Sequence, residues 1–246
     1  MFKTTIIDQI KTIEMAGDGP NAMDIEFLKT LSGEFEPNES FHGVVLMGNG
    51  RFFSAGLNII RFMDTSRDDL KMGIMTLESL LYKVLTFPGP VIAVVNGHAV
   101  GGGCILSLAC DYRIGIKSHI KFAVNELTIG VDLPPIALTA IRKSIPVNNL
   151  FEVVAFGKFY TPEEALSVGM LNVILPFEAA VEYAREKVKS IAQSLPAFQR
   201  LKKRLVEPEL EKIKEETRSV EEFVDQWFTP ETQTKLKAAL EKLKKG

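Results

Sequence analysis

Two segments of this 246-residue chain share a form suited to holding an anion: GVVLMGNGRFFSAGLNI (43–59) and PVIAVVNGHAVGGGCIL (90–106). In each, an apolar strand runs into a glycine-rich turn. Glycine lets the backbone approach a ligand closely and adopt positive φ. A glycine run that opens a helix also points free amide N–H groups, at the positive end of the helix dipole, toward an anion. Two such turns side by side would form a two-donor oxyanion hole. The same residues also fit tight turns at strand ends: read alone, the first loop favours that reading and the second is evenly balanced. Other glycine chemistry fits less well. The spacing from Gly97 to Gly101 is wrong for a dinucleotide fingerprint, and Gly48-Asn49-Gly50 begins one only to meet Phe53 at the third glycine position. No phosphate-loop GxxxxGK[ST] occurs. Ser54-Ala55-Gly56 approximates a nucleophile elbow, with Phe52 in place of its first glycine. Cys104 opens a helix, where a thiol pKa can fall, but a buried small hydrophobe suits its apolar surroundings better. Cys104 and Cys110 make no CxxC pair, and His42, His98 and His119 lack metal-ligand spacing, so neither a disulfide framework nor a metal site is expected.

Strands alternating with helices must position these loops. Residues 2–15 read as one or two strands, 16–21 as a turn, and Met23, Phe27, Leu28 and Leu31 have helical spacing. Residues 43–47 and 91–95 are apolar throughout, as in a sheet covered on both faces. A helix is predicted from about Arg67 to Leu85, stopped by Phe87-Pro88-Gly89-Pro90. An apolar helix follows over 104–110, then short strands at 112–116 and 121–123. Thr161-Pro162-Glu163-Glu164 is a capping box with proline at the first helical position, and Gly169 is placed to end that helix. Segments 177–194, 196–216 and 230–245 have helical periodicity, the last with a Thr229-Pro230 start signal. The pattern implies an α/β core with an appended helical layer.

Five motifs in order carry a resemblance: PNAMD (20–24), FSAGLNI (53–59), NGHAVGGGCILSLACDYRI (96–114), FAVNELTIG (122–130) and TPEEALSVGMLNVILP (161–176). Over roughly the whole chain they resemble the enoyl-CoA hydratase/isomerase, or crotonase, superfamily. The resemblance implies a spiral of ββα turns with two roughly perpendicular sheets over residues 1–190. It also implies a C-terminal helical region, 191–246, that builds a homotrimer or hexamer. It implies an acyl-CoA substrate whose thioester carbonyl lies between the backbone N–H groups of Leu57 and Gly102. Phe53, Ala55, Ile59, Phe62, Gly101 and Ile105 would contact that substrate, with Leu57. Coenzyme A is then part of the substrate and no separate cofactor is expected.

Hydratases of this family use two glutamates, and by motif position these would be Ile105 and Glu126. Hydration needs one group to activate water and another to move a proton, and isoleucine can do neither. Double-bond migration needs one mobile proton. The pattern is therefore similar to 3,2-enoyl-CoA isomerases of the mitochondrial type, in fatty-acid β-oxidation, with Glu126 as the single acid/base. Burial near Phe122, Ile105 and Leu127 would raise its pKa. Without the resemblance, Glu126 reads as a surface carboxylate at a strand end. Hydration, another crotonase reaction and non-catalytic acyl-CoA binding stay open as alternatives. Asn58 stands where the family usually has aspartate, which bears on local loop hydrogen bonding. Asp132 reads as a second acid or, more simply, a solvated loop carboxylate. Met63 joins Leu57, Ile59 and Phe62 as acyl-pocket lining or plain helix core. Lys235, Lys237 and Lys242 are candidates for CoA phosphates or for a solvated helical face.

Composition narrows the partners. Lys+Arg number 29 against 31 Asp+Glu, a net charge of −2, which provides no field for nucleic acid or an anionic membrane. No apolar run reaches the ~20 residues that span a bilayer, and the N-terminus lacks a signal pattern, so a cytoplasmic or organelle-matrix location is expected. Fifteen of the 18 glycines precede residue 131, whereas residues 171–246 hold one glycine and 28 charged residues. Those charges balance at 15 basic to 13 acidic, which argues against RNA binding by the tail.

Overall fold

The computed structural model describes residues 2–17, 19–214 and 219–245, with 214, 219 and 242–245 as backbone only. Strands β1 (Phe2–Ile7) and β2 (Ile10–Met15) form a hairpin, followed by α1 (Ile25–Glu34). The chain then alternates between two sheets. β3 (Gly43–Gly48) lies in the large sheet and β4 (Phe52–Ser54) in the small one, before α2 (Ile59–Met63) and α3 (Arg67–Thr86). β5 (Val91–Val95) returns to the large sheet, β6 (His98–Val100) to the small one, and α4 (Gly102–Ala109) follows. β7 (Tyr112–Ile116) and β8 (Phe122–Ala123) repeat the step, leading into a 3-10 turn, Glu126–Ile129. Helices α5 (Pro135–Ser144), α6 (Val147–Ala155) and α7 (Pro162–Val168) precede the last strand, β9 (Val173–Leu175). Four helices close the chain: α8 (Phe177–Ala192), α9 (Leu195–Lys214), α10 (Ser219–Trp227) and α11 (Pro230–Lys245). None of the described helices is long and apolar enough to cross a membrane.

The large sheet has the order β1-β2-β3-β5-β7-β9, parallel except for the β1–β2 hairpin, and the small sheet has the order β4-β6-β8. Each ββα step thus advances both sheets by one strand, the spiral that the resemblance implied. β3 and β5 are wholly buried because one face meets α8 and the other meets the main core of α1, α3 and α4. That double burial explains their unbroken apolar runs. A third cluster joins Phe62, Leu70, Ile74 and Val131 to Phe223, Val224, Trp227 and Leu236 of the last two helices.

Local signals behave as their chemistry dictates. The Thr161 capping box forms in both directions, and Gly169 ends α7 in the left-handed region. Thr229 caps α11 by accepting the Thr232 N–H. Asn58 accepts the Arg61 N–H and so caps α2, a bond an aspartate would also accept.

Candidate active site

Asn96 joins the ends of β3 and β5: its Oδ1 accepts the Gly48 N–H at 2.8 Å and its Nδ2 donates to Gly48 O at 2.9 Å. The two glycine-rich turns therefore leave the large sheet side by side. In the first, segment 20–24 runs alongside 54–58. Ala55 N–H donates to Pro20 O, Met23 N–H to Gly56 O and Asn58 N–H to Met23 O. Gly56 N–H donates to Ser54 Oγ, whose hydroxyl donates to Asn21 O. This ladder engages the N–H groups of residues 55, 56 and 58. Among the described residues no acceptor takes the N–H of Leu57.

In the second turn, Gly101 N–H donates to Ala123 O and Ile105 N–H to Gly101 O. Gly102 is the first residue of α4, so its N–H has no partner within the helix and finds none among the described residues. Both turns need glycine where they meet. Gly56 has φ +81°, and a methyl placed on it would sit 2.8 Å from Gly102 N. A methyl on Gly102 would lie 3.7 Å from Leu57 N. The two free donors are thus close neighbours.

The third part comes from the 3-10 turn after β8. Gly101 has φ +53°, and a methyl on it would sit 3.2 Å from Glu126 Oε1 and 3.5 Å from Asn125 Oδ1. Glu126 Oε2 is shielded from solvent and has no hydrogen-bond partner. Burial pushes its carboxyl up to about 7, and the backbone N–H groups of Glu126 and Asn125 reverse only part of that rise. A carboxylate poised near neutrality beside two unused N–H donors can move a proton next to a developing oxyanion.

The structure brings Leu57, Gly101, Gly102 and Glu126 together. Ile105 is buried in the main core one helical turn beyond Gly101. Phe53 also buries its side chain there, and Phe62 lies in the third cluster. Ala55 is half-buried. Leu57, Ile59 and Met63 are half-buried against the third cluster and keep surface available to a ligand. Leu127 does not help to bury Glu126 as expected, because the 3-10 turn swings its side chain outward to 44% exposure. Asp132 is an exposed loop residue whose Oδ1 accepts the N–H of Leu133. Cys104 is fully buried and its thiol is pushed up to about 12, by burial first and by Glu126 second, as fits the small-hydrophobe reading. Lys235 pairs with Glu231 at 2.6 Å and Lys237 is exposed, while the side chain of Lys242 lies outside the described residues. A groove of about 850 Å³ runs between α1 and α2, lined by Asp24, Lys29 and Arg61 among others, but it excludes Glu126.

Residues 9–245 match the family model described as enoyl-CoA hydratase/isomerase. The chain belongs to the enoyl-CoA hydratase/isomerase family. Its place in that family of enzymes follows from the match along nearly its whole length. It is 29% identical over 192 residues to a probable enoyl-CoA hydratase of Bacillus subtilis, covering 76% of this chain and 72% of that protein. It is 28% identical over 180 residues to the 2,3-dehydroadipyl-CoA hydratase of Escherichia coli, covering 72% and 69%. The structure of human mitochondrial delta3-delta2-enoyl-CoA isomerase superposes with a TM-score of 0.92 at 22% identity, covering 100% of this chain and 98% of that one. At that identity the likeness speaks to the fold.

Part of this site could be found from sequence and part could not. The glycine turns and Glu126 are motif residues. The pairing of 20–24 with 54–58 joins two motifs whose contact no spacing announces, and the bond from Thr232 Oγ1 to Gly130 O at 2.9 Å comes from a segment outside every motif.

Proposed function

We propose that the protein shifts the double bond of a 3-enoyl-CoA ester into the 2-trans position. The observation that carries this reading is the single carboxyl of Glu126, with Oε2 buried and unpartnered, beside the free N–H groups of Leu57 and Gly102, with Ile105 where the resemblance assigns a second glutamate. The thioester oxygen lies on the two N–H groups. Glu126, ionised, takes a proton from C2, and the electron pair passes to the thioester oxygen as a dienolate. The same carboxyl then returns the proton to C4, and the double bond re-forms between C2 and C3. Each N–H donor contributes about 3 kcal/mol where the negative charge develops. One proton moves and no electron carrier takes part. Ile105, where the resemblance assigns the second glutamate, has no polar group to hold an attacking water.

Glu126→Gln tests the assignment. Isomerisation of a 3-enoyl-CoA should disappear while CoA-ester binding stays near normal, and full turnover in this variant would overturn the reading. Wild-type protein assayed on both 3-enoyl isomerisation and 2-enoyl hydration separates the two family chemistries: hydration as the faster reaction refutes the proposal. We further propose a trimer or a pair of trimers, supported by exposed apolar side chains at Phe151 of α6, at Phe156 just after it, and at Leu201 and Leu205 of α9. A monomer in analytical ultracentrifugation at micromolar concentration would exclude it.

A further inference from the structure

We infer that Thr232, with Gln226, is a positioning residue that fixes Glu126 against the glycine turns from the far end of the chain; the inference rests on the isomerase reading above. The segment carrying Glu126 is a single 3-10 turn, and so short an element has little stability of its own. It ends at Gly130, in the left-handed region at φ 80°, where the Gly130 N–H closes on Leu127 O at 3.1 Å. Beyond it, Val131 N–H returns to Glu126 O at 3.2 Å.

The last two helices clamp this return at two points. Thr232 Oγ1 donates to Gly130 O at 2.9 Å, and Thr232 is 3% exposed, so water cannot replace the bond. Gln226 Oε1 accepts the Asp132 N–H at 3.0 Å. Between these points Val131 is buried among Trp227, Phe223 and Leu236, with Ile129 packed against them. A methyl on Gly130 would sit 3.0 Å from Lys235 Cδ and 3.1 Å from Thr232 Oγ1, so α11 lies directly on the loop. Thr232 bonds to a backbone carbonyl four residues after Glu126 and acts through that backbone. The clamp keeps the carboxyl against Gly101, and it keeps water from the unpartnered Oε2. The titratable group packed near that carboxyl is the Cys104 thiol, neutral across the working range; the Lys235 ammonium beyond Gly130 is engaged by Glu231.

The test uses the full chain with Thr232→Val, a near-isosteric loss of the donor, and Thr232→Ser, which keeps it. With a 3-enoyl-CoA ester, the valine variant should lose at least about tenfold in kcat, the scale set by small misplacements of catalytic groups, with KM within about twofold. Its Glu126 carboxyl, followed by carbon-13 NMR without substrate, should titrate at lower pH than wild type because water now reaches it. Serine should restore both. An unchanged carboxyl titration in the valine variant, or equal loss in serine and valine, overturns the inference. Loss of the isomerase reading looks different: Glu126→Gln would keep full turnover while the valine variant still shifted the titration, leaving the clamp intact.

Discussion

Removing the charge of Glu126 should make the protein more stable, and more so as pH rises. The carboxyl stands at about 7 in the folded chain against 4.5 when freely solvated, because burial penalises its ionised form. Between those values the folded state holds a proton that the unfolded state has released, so stability from this group is fully present below pH 4.5 and is lost as pH rises through 7. At about 1.4 kcal/mol per tenfold, the gap is worth roughly 3 kcal/mol above pH 7, and roughly 1 kcal/mol of it has already gone at pH 5. Glu126→Gln has nothing to ionise. Urea denaturation of both proteins at pH 5 and pH 8, at one fixed protein concentration, should show the variant gaining about 2–3 kcal/mol on wild type between the two conditions. All other titrating groups cancel in that difference. A difference that does not change with pH would mean that the carboxyl is solvated, and the argument for its raised pKa would fail with it.

Other consequences are as direct. If ionised Glu126 is the base, kcat/KM for a 3-enoyl-CoA should fall about tenfold for each pH step below about 7, and a flat profile from pH 5 to 8 would contradict that role. Lys202 is 6% exposed and donates to Val84 O, Gly89 O and Asp111; Lys202→Met should cost about 3 kcal/mol in chemical denaturation, since Asp111 keeps only Lys143 as a cationic partner beside the Val91 N–H, and a cost under about 1 kcal/mol would show the pair to be solvated. Cys104 and Cys110, both buried with thiols pushed up to about 12, should resist alkylation at pH 8 until the protein unfolds; rapid native labelling of either would refute their placement.

Much of the spiral was readable because its larger strands are continuous apolar runs and its turns carry glycines with steric reasons to be there. The large-sheet strands β3 and β5 and helices α3 and α7 lie almost where periodicity and capping place them. Of the small sheet only β8 was readable, as the short strand at 121–123. β4, β6 and β8 are two or three residues long, and their partners lie tens of residues apart, so no period develops. Helix α10 was missed for a related reason: its apolar residues Phe223, Val224 and Trp227 serve a cluster whose other half is formed by residues 62–74. Lys202 is the sharpest case. In the run Gln199-Arg200-Leu201-Lys202-Lys203-Arg204 it looks like one more solvated charge, and only Asp111, 91 residues away, makes it an interior one. Glu126 and its raised pKa were expected from the motif and from burial, but the structure changes what buries it: a 3-10 turn hides one oxygen while sending Leu127 outward.

The clamp on the loop after Glu126 sets an order of assembly. Both oxyanion turns exist in the chain by residue 103 and the carboxylate by residue 126, yet Thr232 and Leu236 are made roughly a hundred residues later. Until then Phe62, Leu70, Ile74 and Val131 have lost half of the cluster that covers them. A nascent chain stalled before α10 would hold nearly every residue of the chemistry, show an open apolar face where the site should be, and present the surface that invites aggregation or a chaperone. Only the last two helices cover that face.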